Sequence, residues 1–259
     1  MRWEEVTAMG LLNTATLVEA HKENFNPETR ALTSIQFICI HYTSNTNDTA
    51  RANALYFHDT VTKTSAHFFV SEDTVYQSVP LNHAAYAVGL GSMKQPYFKW
   101  PDMYGKIYNH NSVSIELCGS KYGPEASDKT KLTAARLTSE LLSKLGLTPS
   151  RVYRHYDVTG KPCPKWAVDD PLKWLDFTLL VNNIFYGKGE DDIMLDTPEN
   201  YAMFKVFMDR YLDEKAKEDP KWDDEAMAYC QSRGLINDGR GSSPVTRSEL
   251  ATVLFRMNA

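Results

Sequence analysis

The sequence predicts an α/β fold, a central β-sheet flanked by helices, followed by a small all-α carboxy-terminal module. Three observations carry that prediction. The run SIQFICIHY, residues 34–42, is almost continuously apolar and β-branched or aromatic, the pattern of a strand covered on both faces. Residues 130–145 carry Ala134, Leu137, Leu141, Leu142 and Leu145 at spacings that place them on one helical face. That stripe stops at Gly146, a residue suited to the left-handed position after a helix. The polar segment Gly187-Lys-Gly-Glu-Asp-Asp then separates this part from a further set of helical stripes.

A chain of 259 residues lies near the size at which one core stops growing, so two unequal domains are expected. Their bounds are 1–186 and 198–259, with a linker over 187–197. Net charge is −5 and Lys and Arg are dispersed, which leaves no basic stripe and excludes nucleic acid as an expected partner. The four cysteines, Cys39, Cys118, Cys163 and Cys230, are too few and scattered for a disulfide framework and fit synthesis in a reducing compartment. The amino terminus has acidic residues where a signal peptide wants positive charge. No stretch reaches the ~18 apolar residues that span a bilayer, so neither export by a leader nor membrane insertion is expected.

Taken in order, Asp48 offers an N-cap for a helix with Ala52, Leu55 and Tyr56 on one side, ending near His58. HFFV and VYQSV flank Ser71-Glu72-Asp73-Thr74 as a hairpin. Residues 84–110, rich in Gly, Tyr, Asn and Lys without periodicity, read as a long surface loop. VSIELC is a further strand, as is Arg151 to His155. A Pro-rich loop with Cys163 and an amphipathic segment from Pro171 to Phe185 follow. Beyond the linker, Tyr201, Phe204, Met208 and Tyr211 mark one helix, and Ala226, Met227 and Cys230 before Gly234 a second. Thr246 and Glu249 form the capping box of a third, with Val245 and Leu250 as its staple.

Three positions offer metal-ligating atoms at strand ends or in loops: His41, His155 and Cys163. Two imidazoles and one thiolate leave a fourth tetrahedral position open, the pattern of a catalytic rather than a structural zinc site. Spacing alone does not join them, and each has a plainer reading as a satisfied core histidine or an inert thiol. Cys39 and Cys118, two residues from His41 and Glu116, face the same sides as those residues by strand alternation. They read first as small buried thiols and second as alternative ligands.

The words ICIHYT, SAHFFVSED, NSVSIELCG and RHYDVTGKPCP, in that order, resemble the amidase-2 family, which includes phage amidases and peptidoglycan recognition proteins. The resemblance covers about residues 30–180 and implies a mixed central sheet and one Zn2+ per chain held by His41, His155 and Cys163. It also implies hydrolysis of the amide between N-acetylmuramic acid and L-alanine in bacterial peptidoglycan. Glu116 matches the carboxylate that helps activate the attacking water in many members. A carboxylate on an otherwise apolar strand also asks for a functional reason, because burying it unpaired is costly. Lys161, two residues before Cys163, matches a lysine that stabilises the oxyanion. Two departures stand out. Ala66 occupies the place where some phage amidases carry a tyrosine, and Ala85-Tyr86-Ala87 stands where many relatives have Trp-His-Ala. Tyr86 and His67 are the expected substrate-binding residues, His67 with a second reading as a structural histidine.

The segment GLINDGRGSSPVTRSELATVLFRM resembles part of an S-layer homology repeat, which implies a wall-binding module, with homodimerisation as its rival role. An amidase joined to such a module without a leader resembles a phage endolysin of a Gram-positive host. Such a protein is made in the host cytoplasm and released to the wall by a holin. The alternatives are a non-catalytic peptidoglycan receptor of the same fold and a zinc peptidase acting within the stem peptide. Cys163 argues against the receptor, which typically lacks that ligand.

Overall fold

Phe37–Tyr42 folds as a strand in which Phe37 through His41 are all buried, as its unbroken apolar run demands. The computed structural model describes residues 10–89 and 102–187. The chain divides into two units, Met1–Asp192 and Ile193–Ala259. The first nine residues, residues 90–101 of the expected long loop, the linker after Gly187 and the helices expected around Tyr201, Ala226 and Thr246 lie outside the described residues.

The described elements of the first unit run α1 (Leu11–Thr14), β1 (Thr16–Leu17), β2 (Phe25–Asn26), β3 (Phe37–Tyr42), α2 (Ala50–Asp59) and β4 (Phe68–Ser71). After these come β5 (Thr74–Gln77), β6 (Ala84–Ala85), β7 (Ser112–Leu117), α3 (Asp128–Leu145) and β8 (Val152–Arg154). Three helices close the series: α4 (His155–Thr159), α5 (Lys165–Asp169) and α6 (Pro171–Phe185).

The main sheet has the order β1-β5-β4-β7-β3-β8, and β2 pairs with β6 in a small second sheet. Within the main sheet β4 and β5 are antiparallel, while the other neighbours are parallel, so the sheet is mixed as expected. β3 lies between β7 and β8, one step in from the sheet's edge. Registered residues on parallel neighbours share a face. His41 is level with Glu116 on β7, and Glu116 is level with Phe69 on β4. Ile38 and Ile40 on β3, level with Val113 and Ile115 on β7, face the other way and are fully buried. α3 packs against β4, β7 and α6, with Leu137, Leu141 and Leu142 buried. Its ends are set by Ser127, whose side chain accepts from the Thr130 amide, and by Gly146 at φ 65°.

Four local expectations shift. The N-cap of α2 is Thr49, whose hydroxyl accepts from the Ala52 amide, while Asp48 takes the side-chain amide of Asn53. The buried side of α2 is Ala50, Asn53 and Ala54, and Tyr56 is 54% exposed. Small residues win that face because the helix lies close over Phe69, Cys118 and Ala66. The hairpin turn narrows to Glu72-Asp73, with Ser71 paired to Thr74. His155 begins helix α4 rather than ending a strand. The Asp157 side chain accepts from the backbone amide of Arg154 and ends β8 one residue earlier.

Candidate active site

The carboxyl ends of β3 and β7, the start of α4 and the loop after it converge on one point. His41, His155 and Cys163 are all buried, and one ligand atom from each lies within 4.8 Å of the others. Among the described residues this is the one such group of histidine, cysteine and carboxylate side chains. The imidazole rings of His41 and His155 are 4.6 Å apart between centroids, and Cys163 Sγ is 3.8 Å from His41 Nδ1. His41 Nε2 and His155 Nδ1 are buried without a hydrogen-bond partner. Buried ring nitrogens without a partner are unusual and costly, and a cation supplies what they lack. Burial pushes the pKa of His41 well below its ordinary value and that of His155 to about 3, with Lys161 adding to both. Both rings are therefore neutral, the form that ligates a metal. Burial raises the Cys163 thiol to about 12, so ligation there displaces a proton. The donor set, its spacing and its unsatisfied nitrogens fit a zinc ion.

Glu116 extends from β7 into the same space, with Oε1 3.9 Å from His41 Nδ1 and Oε2 unpartnered. Burial raises its pKa to about 7, with Lys161 opposing and Asp48 reinforcing the shift. Lys161 is exposed on the loop before Cys163. Glu116, Lys161 and Cys163 line one cleft of about 670 Å³, whose polar wall includes Asn45, Asp48 and Asn53 from the β3–α2 segment. In the sequence Asp48 is marked only as a helix cap, and no local pattern marks Asn45 or Asn53 as cleft residues.

Five of the seven expected site residues thus meet, and two do not. His67 is 1% exposed and lies beneath the sheet's surface. Its Nδ1 accepts from the Ser114 amide, and Nε2 lies 2.8 Å from Arg30 Nη2 and 3.2 Å from the His83 carbonyl. Burial, then the Arg30 charge, lowers its pKa to about 3. His67 is not among the residues that line the cleft. Tyr86 is half-buried, its backbone exchanges hydrogen bonds with Ser65, and it is not among the cleft's lining residues. Cys39 packs with Phe37, Tyr153 and Val158, and Cys118 with Ala50, Ala54 and Phe69, so both are core thiols.

Arg30 is a structural residue that sequence reasoning missed. Its guanidinium donates to the carbonyls of Leu81, Asn109, His110 and Ser112 and so ties the start of β7 to the segment before β6. No local pattern signals it, because the acceptors come together only in the fold.

Known proteins share this arrangement of chain. The Amidase_2 family model, described as N-acetylmuramoyl-L-alanine amidase, matches residues 31–166. The N-acetylmuramoyl-L-alanine amidase CwlL of Bacillus licheniformis is 30% identical over 162 residues, which cover 61% of this chain and 43% of that protein. BlyA of Bacillus subtilis (strain 168) is 32% identical over 163 residues, 61% of this chain and 44% of that one. The chain thus spans under half the length of the curated relatives it matches. Among solved structures, the catalytic domain of XlyA superposes with a TM-score of 0.51 at 27% identity, covering 63% of this chain and 96% of that one. The PlyG catalytic domain, at 23% identity and a TM-score of 0.54, shares the fold over 66% of this chain and 94% of its own. The family match takes in just over half of the chain and contains His41, Glu116, His155, Lys161 and Cys163, so the chain belongs to the N-acetylmuramoyl-L-alanine amidase family.

Proposed function

We propose that this protein hydrolyses the amide between N-acetylmuramic acid and the L-alanine of the stem peptide in bacterial peptidoglycan. The observation that carries the reading is the cluster of His41, His155 and Cys163, buried with unsatisfied ring nitrogens beside an unpartnered Glu116 oxygen in an open cleft. One zinc ion per chain, held by those three side chains, supplies Lewis acidity toward water and the amide carbonyl.

The chain's own groups do the rest. Glu116 Oε2 has no partner to displace, and burial raises its pKa to about 7, so it takes the proton of the attacking water and returns it to the leaving nitrogen. The Lys161 ammonium, exposed at the same cleft, faces the carbonyl oxygen as negative charge builds there. Asn45, Asp48 and Asn53 offer polar contacts that orient the substrate.

The second unit, residues 193–259, serves on this reading as a wall-targeting module, and self-association into a homodimer is the other role open to it. No helix among the described residues is long and apolar enough to cross a membrane. Synthesis in the host cytoplasm and holin-type release to the wall complete the proposal of a phage-type endolysin.

Purified peptidoglycan digested with and without a chelator tests the activity. The expected products are intact stem peptides with a new L-alanine amino terminus, absent when chelator is present. New termini inside the stem peptide, or no new termini at all, overturn it.

A further inference from the structure

A second cleft of about 500 Å³ opens beside the first, and Tyr42, the last residue of β3, lines both. Its other walls come from the segment after β7, with Tyr122, Pro124 and Ala126, and from Trp166 on α5. The proposed metal ligands are chain neighbours of the second cleft, since Tyr42 follows His41. Cys163 lines the first, and Trp166, three residues on, lines the second.

The second cleft has the chemistry of an uncharged, flat ligand. Tyr122 is 87% exposed, far beyond what its size needs in a folded surface, and Lys121 Nζ sits 4.8 Å from its ring centroid. Each charged residue lining the cleft is committed elsewhere. Lys165 pairs with Asp169, and Glu125 takes both Lys131 and Lys173. Among the residues that line it no cation is left unpaired, and Lys121 beside Tyr122 is not one of them, whereas Lys161 lines the first cleft. Trp166 contributes an aromatic edge to the wall and is 5% exposed. Pyranose rings present an apolar C–H face for stacking on aromatic rings and hydroxyls at their edge, and they carry no charge.

We propose that the cleft lined by Tyr42, Tyr122 and Trp166 is the glycan subsite, holding the sugars that flank the muramic acid residue being cut. This rests on the amidase reading above and adds the direction in which the substrate lies, with glycan toward Tyr122 and stem peptide toward Asn53.

The test uses the full chain and two soluble substrates, an N-acetylmuramoyl tripeptide and the same peptide carried on a four-sugar strand. Tyr122→Ala should raise KM about tenfold on the four-sugar substrate, the scale of one aromatic stacking contact, with kcat unchanged. The single-sugar substrate should respond little, and Tyr122→Trp should restore the low KM. An equal KM change on both substrates, or none on either, overturns the glycan assignment. Should wild-type protein release no L-alanine terminus from either substrate, the amidase reading fails, and the subsite is decided by titrating a peptide-free tetrasaccharide of the same sugars. Binding that weakens in Tyr122→Ala then supports the subsite, and binding that is absent or indifferent to Tyr122 removes it.

Discussion

His41 and Glu116 stand level on adjacent parallel strands, and His41 Nδ1 lies 3.9 Å from Glu116 Oε1. The sheet thereby sets the proposed general base beside a proposed metal ligand without help from any loop. Because Gln is nearly isosteric with Glu, Glu116→Gln should keep fold and zinc content. Turnover should fall at least ~10²-fold, the scale of a lost acid–base group. Steady-state kinetics on a soluble muropeptide check it, and wild-type rates would show Glu116 to be structural only.

The cleft wall depends on a close backbone approach at Gly119. A Cβ built there meets the Asn45 carbonyl oxygen at 1.8 Å, and Asp48 donates its amide to the Gly119 carbonyl. Gly119→Ala must push the 43–48 segment away, at a cost of roughly 1–3 kcal/mol for overpacking. KM should rise together with the drop in stability, since Asn45 and Asp48 line the cleft. Urea unfolding and kinetics of the variant decide it, and an unchanged midpoint with unchanged KM would contradict the account.

His67 makes the fold acid-sensitive. Its ring takes up a proton near pH 6.5 in the unfolded chain and only near pH 3 in the folded one, because burial and Arg30 oppose the charge. Between those values the unfolded state binds more protons, so stability is full above pH 6.5 and falls as pH falls, by up to ~1.4 kcal/mol per unit. His67→Asn retains an acceptor for the Ser114 amide but does not titrate. Its stability should lose about one proton's worth of pH slope between pH 6.5 and 4.5 relative to wild type. Identical slopes in urea unfolding series would rule out this role.

Separate roles for the two units imply separable effects. Residues 1–192 alone should cleave a soluble muropeptide at the full-length rate and lose activity on intact walls, since tethering raises local concentration at an insoluble substrate. Equal wall lysis by the truncated chain, with no retention of residues 193–259 on purified walls, would favour self-association as the second unit's role.

What the sequence disclosed follows from how local each signal is. The β3 run, the α3 stripe and its Gly146 stop are short-range patterns, and the structure keeps all three. His41, Glu116 and Cys163 were legible through the words around them, and the fold brings them together. The α2 face was misread because large side chains mark the buried side only where there is room, and here Ala50 and Ala54 lie over Phe69 and Cys118. Arg30, the polar wall at Asp48 and Asn53, and the Tyr122 cleft were illegible because each is defined by partners distant in sequence.

The central claim is that His41, His155 and Cys163 together hold the one zinc ion on which hydrolysis depends. Zinc content measured on purified wild type and Cys163→Ala, alongside muropeptide cleavage by both, tests it most directly. The account expects about one zinc per wild-type chain, with zinc and activity both lost in the variant. Full zinc occupancy in Cys163→Ala, or undiminished cleavage by a metal-free variant, would contradict it.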